Sequence, residues 1–297
     1  MKVATYQMAS CSGCHVALVN LGLDLIEPLS KGELVFSPVL VDSKDVSEAD
    51  VAFIEGGVRN RENLEMLKKL RDKTETLVAF GTCACFGGVP GIGSAFKAAD
   101  LLSEAYGDDF LPEGIPILEQ RVDPVDAHVK VDYYFPGCPP PPKLLKSNIQ
   151  RLLEGQQPSF YDLPVCAECQ RVAKKEVTHD LKRIAENFPE PDECLLSQGF
   201  VCLGSVSRGG CEAPCTHAGV PCLGCRGPID RVFVEPTHGI LYDLSRRISH
   251  FTGKTEKEVR DKLRDIVHVF YSFTLSVPEL RKKDAEDVYK LINRIKV

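Results

Sequence analysis

Residues 76–88 read TLVAFGTCACFGG, an apolar run that breaks at a glycine into two cysteines and then two more glycines. The run is short and strand-like, and glycines on either side of Cys83 give up packing in exchange for close backbone approach. Some group is therefore expected to sit against that backbone. Outward from this stretch, the first 155 residues alternate between strand and helix patterns. KVATYQMA (2–9) reads as a strand, and CSGCHVALVNLGLDLIEPL (11–29) reads as a helix that opens on cysteines and stops near Pro28. LVFSPVLVD (34–42) and ADVAFIEGG (49–57) read as strands, RENLEMLKKLRDK (61–73) as a helix, and TLVAFGTC (76–83) as the next strand. VDYYFPGCPPPPKLLKSNIQRLLEG (131–155) closes the unit with a polyproline break before an amphipathic helix. Such alternation implies an α/β fold with a parallel sheet and helices on both faces. A boundary is expected at GQQPSFYDLP, giving one domain over 1–158 and a second over 159–297.

Composition limits what the chain can do. At 297 residues it is long enough to bury a full core without disulfides, so its 13 cysteines need another reason. The opening MKVATYQMA is not an apolar signal segment, and no run is long enough to cross a bilayer, so a cytoplasmic protein without direct membrane insertion is expected. Thiols stay reduced in that compartment, and paired cysteines there read as metal or redox sites. A net charge of −6 argues against nucleic acid as the main partner. Residues 243–297 carry 13 Lys and Arg against 9 Asp and Glu, which makes this end +4 and the remainder −10. That end reads either as a docking surface or as a solvated helical face.

On this reading Cys11 and Cys14 follow the first strand, Glu55 ends the third, Cys83 ends the fourth, and Cys138 lies in a PGCPP turn. The carboxyl ends of strands in an open parallel sheet form one crevice, so four thiolates from separate loops can meet there. An iron–sulfur cluster needs thiolates, room beside the backbone and N–H groups facing its negative charge. Glycines and the amino terminus of the C-x-x-C helix supply these, while Pro136, Pro139 and Pro140 stiffen the loop around Cys138. Cys83 is accordingly read as a cluster ligand. Residues 166–225 hold eight more cysteines among many glycines with poor periodicity, enough for two four-thiolate sites on which that region's fold would depend. Zinc fits such spacings as well as iron does. A third set in the sheet crevice makes a redox chain more economical than three structural zincs.

The early C-S-G-C, E-G-G at 55–57, G-T-C at 81–83, P-G-C-P-P at 136–140 and the segment ending P-C-L-G-C-R-G-P together resemble the electron-transferring small subunit of nickel–iron hydrogenases, over nearly the whole chain. The resemblance implies a flavodoxin-like first domain, a large-subunit partner that carries the nickel–iron centre, and no hydrogen splitting by this chain. By position it implies three 4Fe–4S clusters: proximal on Cys11, Cys14, Cys83 and Cys138, distal on Cys166, Cys169, Cys194 and Cys202, medial on Cys211, Cys215, Cys222 and Cys225. Where the respiratory, membrane-bound pattern has histidine and proline, this chain has Cys166 and Cys215, and added thiolate lowers a potential. C-S-G-C-H with E-G-G-V-R-N-R-E-N is most similar to the archaeal methyl viologen-reducing type, which implies a small two-iron (2Fe–2S, delta-type) protein and heterodisulfide reductase as partners. Deazaflavin-reducing hydrogenases, the related complex I subunit and a zinc-stabilised scaffold are the alternatives.

Several residues stay open at this stage. His15 either donates to a cluster sulfur or lies on the surface or in helix packing. His179, His217 and His238 have no paired ligand spacing. Glu55 is read as a proton-handling or occasional cluster-ligating residue, or as a carboxylate that bonds loop amides. Cys85 faces with Cys83 if the strand continues and elsewhere if the chain turns after Gly81.

Overall fold

The computed structural model describes residues 1–23, 32–42, 45–108, 113–159, 161–174, 181–182, 187–234, 239–263, 271–278 and 280. The chain divides into two compact units, Met1–Ser159 with Phe273–Val277, and Phe160–Ser272 with Pro278–Val297.

In chain order the first unit contains β1 (Lys2–Gln7), α1 (Gly13–Val19), β2 (Glu33–Phe36), β3 (Ala49–Glu55), β4 (Val58–Asn60) and α2 (Arg61–Asp72). It continues with β5 (Thr74–Phe80), α3 (Thr82–Phe86), α4 (Ala98–Tyr106), β6 (Leu118–Asp123), β7 (Tyr133–Phe135) and α5 (Pro142–Leu153). The main sheet is parallel with order β2-β1-β3-β5-β7, the flavodoxin-like order whose switch point lies between β1 and β3. On one face Val51 and Phe53 of β3, Val78 and Phe80 of β5 and Phe135 of β7 pack against Leu18 of α1 and Leu145, Ile149 and Leu152 of α5. Alternation along β3 then puts Glu55 on the same face, at the end of the strand nearest α1. Asn60 starts α2 by accepting the Asn63 amide at 2.8 Å.

The strands are shorter than the sequence suggests. The stretch 34–42 is a strand only to Phe36 and then turns, and 49–57 breaks at Gly56, after which β4 pairs antiparallel with β6, a strand the alternation did not reveal. The expected end of the first helix near Pro28 lies outside the described residues. The segment Phe273–Val277 returns to the first unit, where the Ser276 hydroxyl donates to Val122 O and Arg121 Nη2 reaches Ser276 O at 3.5 Å.

The sheet edge carries a testable ion pair. Arg71 Nη1 donates to Asp132 Oδ2 at 2.6 Å, and the same carboxylate accepts the Leu77 amide at 2.9 Å. Burial opposes ionisation of Asp132, but the Leu77 amide and the Arg71 guanidinium outweigh it and hold the carboxyl below the usual aspartate range. A depressed folded value contributes stability above the unfolded pKa of about 3.9 and loses it as pH falls through the folded value. Asp132→Asn should therefore lower stability near neutrality by about 1 kcal/mol or less, as expected of a largely solvated pair. Urea midpoints measured from pH 7 to pH 3 should converge with wild type on the acid side.

The second unit has little regular structure. Short 3-10 turns at Val165–Ala167 and Leu203–Ser205 lead to α6 (Pro214–His217), α7 (Asp230–Val234), α8 (Ile240–Thr252) and α9 (Glu256–Lys262). Thr255 and Glu258 form a capping box at the start of α9. Arginines tie the irregular backbone together: Arg171 donates to Thr216 O at 2.6 Å and to Glu190 O at 2.6 Å, and Arg208 donates to Asp230 at 2.6 Å.

Candidate functional site

The site in the first unit lies at the carboxyl ends of β1, β3, β5 and β7. Gly13–Val19 opens with the C-x-x-C segment, and Cys14 is buried while Cys11 is exposed. Cys83 does not end a strand as the sequence reading has it. It lies in the first turn of α3, because Gly81 adopts φ 84° and ψ 163° and turns the chain out of β5. This turn is fixed to the neighbouring loop, since Thr82 N–H donates to Gly137 O at 2.9 Å and Gly137 N–H donates to the Thr82 hydroxyl at 2.9 Å. The residues immediately preceding Cys83 and Cys138 are thereby joined to each other.

The four thiols lie within electrostatic reach of one another. Burial, then the Glu55, Cys83 and Cys138 charges, push Cys14 far above the usual thiol range. Cys83 is pushed up to about 12 by burial and by Cys138, Cys11 and Glu55. Cys138 is raised by burial and then by Cys11. Cys14, Cys83 and Cys138 cannot all ionise in this crevice without a cation among them. Glycine makes the room. A Cβ on Gly81 would stand 2.2 Å from Cys14 Sγ, and one on Gly88, at φ 57°, would stand 2.5 Å from Cys83 Sγ. The donor set and this backbone cradle fit an iron–sulfur cluster.

Glu55 and His15 have definite roles here. The Glu55 carboxylate accepts the His15 amide at 3.0 Å, the Cys14 amide at 3.4 Å and a short hydrogen bond from His15 Nδ1. His15 Nε2 meets the Thr5 hydroxyl at 3.0 Å, which donates to Ser37 at 2.7 Å. Burial would raise the Glu55 carboxyl, but the bonds and charge of His15 together with the Cys14 amide hold it below the usual range. Two expectations change as a result. The first-turn amides of α1 are taken by Glu55, and His15 is buried with both ring nitrogens engaged, neither on the surface nor turned to a sulfur.

Cys85 is buried, and its thiol donates to Ala79 O at 3.3 Å, on the strand side of the turn. Two positions apart on a helix, Cys83 and Cys85 face different ways. Cys85→Ala should cost about 1 kcal/mol and leave iron content unchanged, whereas Cys83→Ala should remove one cluster's iron. Equal iron loss from the two variants would exchange their roles.

In the second unit the sulfurs of Cys166, Cys169, Cys194 and Cys202 interact with one another. Cys166 is exposed overall, but its sulfur is enclosed, and burial with Cys202, Cys194 and Cys169 pushes it up to about 12. Cys202 is pushed up to about 11, mainly by burial, although amides of Gly204 and Cys222 donate to it, the latter at 3.3 Å. A Cβ on Gly204 would stand 3.4 Å from Cys166 Sγ and 3.6 Å from Cys202 Sγ. Cys211 and Cys225 share an electrostatic neighbour in Arg226, while Cys222 is raised by burial and then by Cys202, with Cys225 a lesser neighbour. Cys215 is exposed on α6. A four-thiolate zinc site brings sulfurs to within about 4 Å of one another. Among the described residues no three His, Cys, Asp or Glu side chains converge to hold a single ion. His217 lies on α6, and His179 and His238 lie outside the described residues.

The family described as NADH ubiquinone oxidoreductase, 20 Kd subunit, matches residues 11–152. The G-type subunit of the F420-non-reducing hydrogenase (vhu) of Methanococcus voltae is 39% identical over 291 residues, covering 95% of this chain and 98% of the relative. Its counterpart in Methanocaldococcus jannaschii is 41% identical over 239 residues, covering 78% of this chain and 83% of the relative. The H2-activated [NiFeSe]-hydrogenase structure of Dm. baculatum matches with a TM-score of 0.51 at 18% identity, over 76% of this chain and 94% of that one, a likeness of fold alone. The relatives and the family model together show a hydrogenase small subunit, an oxidoreductase component. Within that class, the chain belongs to the family of F420-non-reducing hydrogenase small subunits.

Proposed function

We propose that this chain relays electrons for a cytoplasmic nickel–iron hydrogenase through three 4Fe–4S clusters, bound by Cys11, Cys14, Cys83 and Cys138, by Cys211, Cys215, Cys222 and Cys225, and by Cys166, Cys169, Cys194 and Cys202. The observation that carries the reading is the gathering of the first four thiols at the switch point of the sheet, in a crevice walled by Gly81 and Gly88. Bound clusters of this kind supply one-electron transfer at low potential. The protein's part is to hold the thiolates, exclude water from Cys14 and Cys83, and place amides on Cys202. Exposed Cys11 and Cys138 lie on the open side of the crevice, the side that suits a large subunit with the hydrogen-activating centre. A two-iron protein and heterodisulfide reductase are the proposed recipients, in keeping with the F420-non-reducing hydrogenase names of the relatives. Among the described residues no helix is long and apolar enough to cross a membrane.

Iron and acid-labile sulfide analysis of the purified complex, with paramagnetic resonance after reduction by hydrogen, tests the reading. Each four-cysteine set should contribute four irons and a reducible signal. Zinc in place of iron, with the featureless visible spectrum of a filled d shell, would reject it. The isolated chain should not reduce viologen with hydrogen, since every thiol set in it is assigned to a cluster.

A further inference from the structure

Resting on that reading, we propose that Ser276, far along the chain, is a positioning residue for the first-unit cluster, because its side chain holds the turn 87–91 against Cys83. The turn follows α3 and reads GGVPG, and three glycines in five residues leave it little rigidity of its own. It lies directly over the thiol. Gly87 N–H donates to Cys83 O at 2.9 Å, and a Cβ on Gly88 would stand 2.5 Å from Cys83 Sγ, 2.8 Å from Cys83 Cα and 3.0 Å from Cys83 N. Gly91 N–H is bonded to Gly87 O and Gly88 O, each at 3.0 Å, so a displacement of Gly91 is carried to the residues beside Cys83.

Ser276 occupies the other side of the turn. It is fully buried, in a segment whose own turn is closed by Val277 N–H donating to Thr274 O at 3.1 Å. A Cβ on Gly87 would stand 2.4 Å from Ser276 Cβ, and one on Gly91 would stand 2.7 Å from Ser276 Oγ and 3.6 Å from Ser276 Cβ. The serine side chain thus fills the space that two missing Cβ atoms would take. Its hydroxyl donates to Val122 O in β6, and Val122 N–H in turn donates to the Ser94 hydroxyl at 2.9 Å, within the 3-10 turn Val89–Ala95 that continues from the glycines. Close-packed interiors transmit displacement, so a filled contact of this kind fixes position. Groups behind the ligands orient them, and losing such a partner weakens retention of the metal. Glu55 and His15 fix the Cys14 limb of the site in this way, and Ser276 fixes the Cys83 limb.

The test uses the assembled hydrogenase complex, with iron per chain and paramagnetic resonance after reduction, the first-unit signal being the one that Cys83→Ala lacks. Gly91 is not left-handed, so Gly91→Ala meets only crowding by Ser276, and it should lose the iron and the signal of this one cluster. Adding Ser276→Ala removes the Oγ and leaves Ser276 Cβ as the nearest atom at 3.6 Å, an ordinary contact, so the double variant should regain both. Ser276→Ala alone should keep the cluster but release its iron to a chelator about fivefold faster, the weight of one hydrogen bond. Wild-type iron and resonance in Gly91→Ala would overturn the proposal, as would a double variant no better than Gly91→Ala. Loss of all three clusters from Gly91→Ala would make the contact purely structural and overturn it too. If Gly91→Ala does not assemble, Ser276→Ala decides: faster release confined to this site supports the proposal, and unchanged release, or equal release from every site, overturns it. Failure of the underlying reading is separate, because the wild-type complex would then show no signal that Cys83→Ala removes.

Discussion

Gly81→Ala should remove the iron of the Cys11, Cys14, Cys83 and Cys138 site while leaving the other two clusters in place. The added Cβ would lie 2.2 Å from Cys14 Sγ, closer than any real contact, with Cys14 Cβ 3.5 Å away. Cys14 has nowhere to retreat, since its helix packs into the core and its amide is bonded to Glu55. Nor can the glycine shift, because Gly81 N–H donates to Phe135 O at 2.9 Å and the next amide is bonded to Gly137 O. Its φ of 84° with ψ of 163° is also a region essentially reserved for glycine, with a strain of about 1–3 kcal/mol for alanine. Relief therefore requires separating β5 from β7, and that displaces Cys83 and Cys138 together. Gly107→Ala is the matched control: its φ is 89°, but nothing lies within 4 Å of the new methyl, so only the strain should appear. Iron per chain and the resonance of the reduced complex decide the matter. A full complement of iron in Gly81→Ala would mean that this crevice does not hold the cluster.

The sequence made the sheet and its crevice readable because both depend on local signals. Apolar runs such as VAFI and TLVAF are buried on both faces of a parallel sheet, and they end in Glu55 with two glycines and in Gly81, Thr82 and Cys83, at the point where a doubly wound fold binds ligands. The eight cysteines of the second unit were equally visible as pairs. What the sequence withheld depends on non-local partners. Nothing in the spacing of Glu55 and His15, forty residues apart, shows that they meet, since their contact requires β3 and β1 to be neighbours in register, Gln7 opposite Glu55. Thr5 and Ser37 were likewise unmarked. Glu168 sits between two cysteines in C-A-E-C and reads as an ordinary exposed residue until its bonds to 210–212 are seen. The return of Phe273–Val277 to the first unit is long-range pairing with no local trace, made by Ser276 against Val122 and Arg121.

Glu55→Ala should be among the most destabilising single changes in the first unit. Glu55 and His15 are 1% and 2% exposed, and the carboxylate satisfies the imidazole and two amides at the first turn of α1. Deleting it leaves three donors without an acceptor in a site that water does not reach, and breaking a buried pair from one side costs about 3–5 kcal/mol. His15→Ala leaves the opposite residue, a buried carboxylate supported by two amides alone, and should cost less. The two losses concern one contact, so the double variant should be more stable than the sum of the single effects predicts, by about 0.5–3 kcal/mol. Because Cys14 lies between the two bonded amides, the same variants should loosen the cluster thiol they position. Urea titration of the cluster-loaded complex, followed by iron release and by circular dichroism, gives both readouts. Additive single effects would show that His15 and Glu55 are stabilised by separate surroundings. If Glu55→Gln held iron as firmly as wild type, shape and hydrogen bonding at this turn would account for the stability, with the carboxylate's charge contributing nothing.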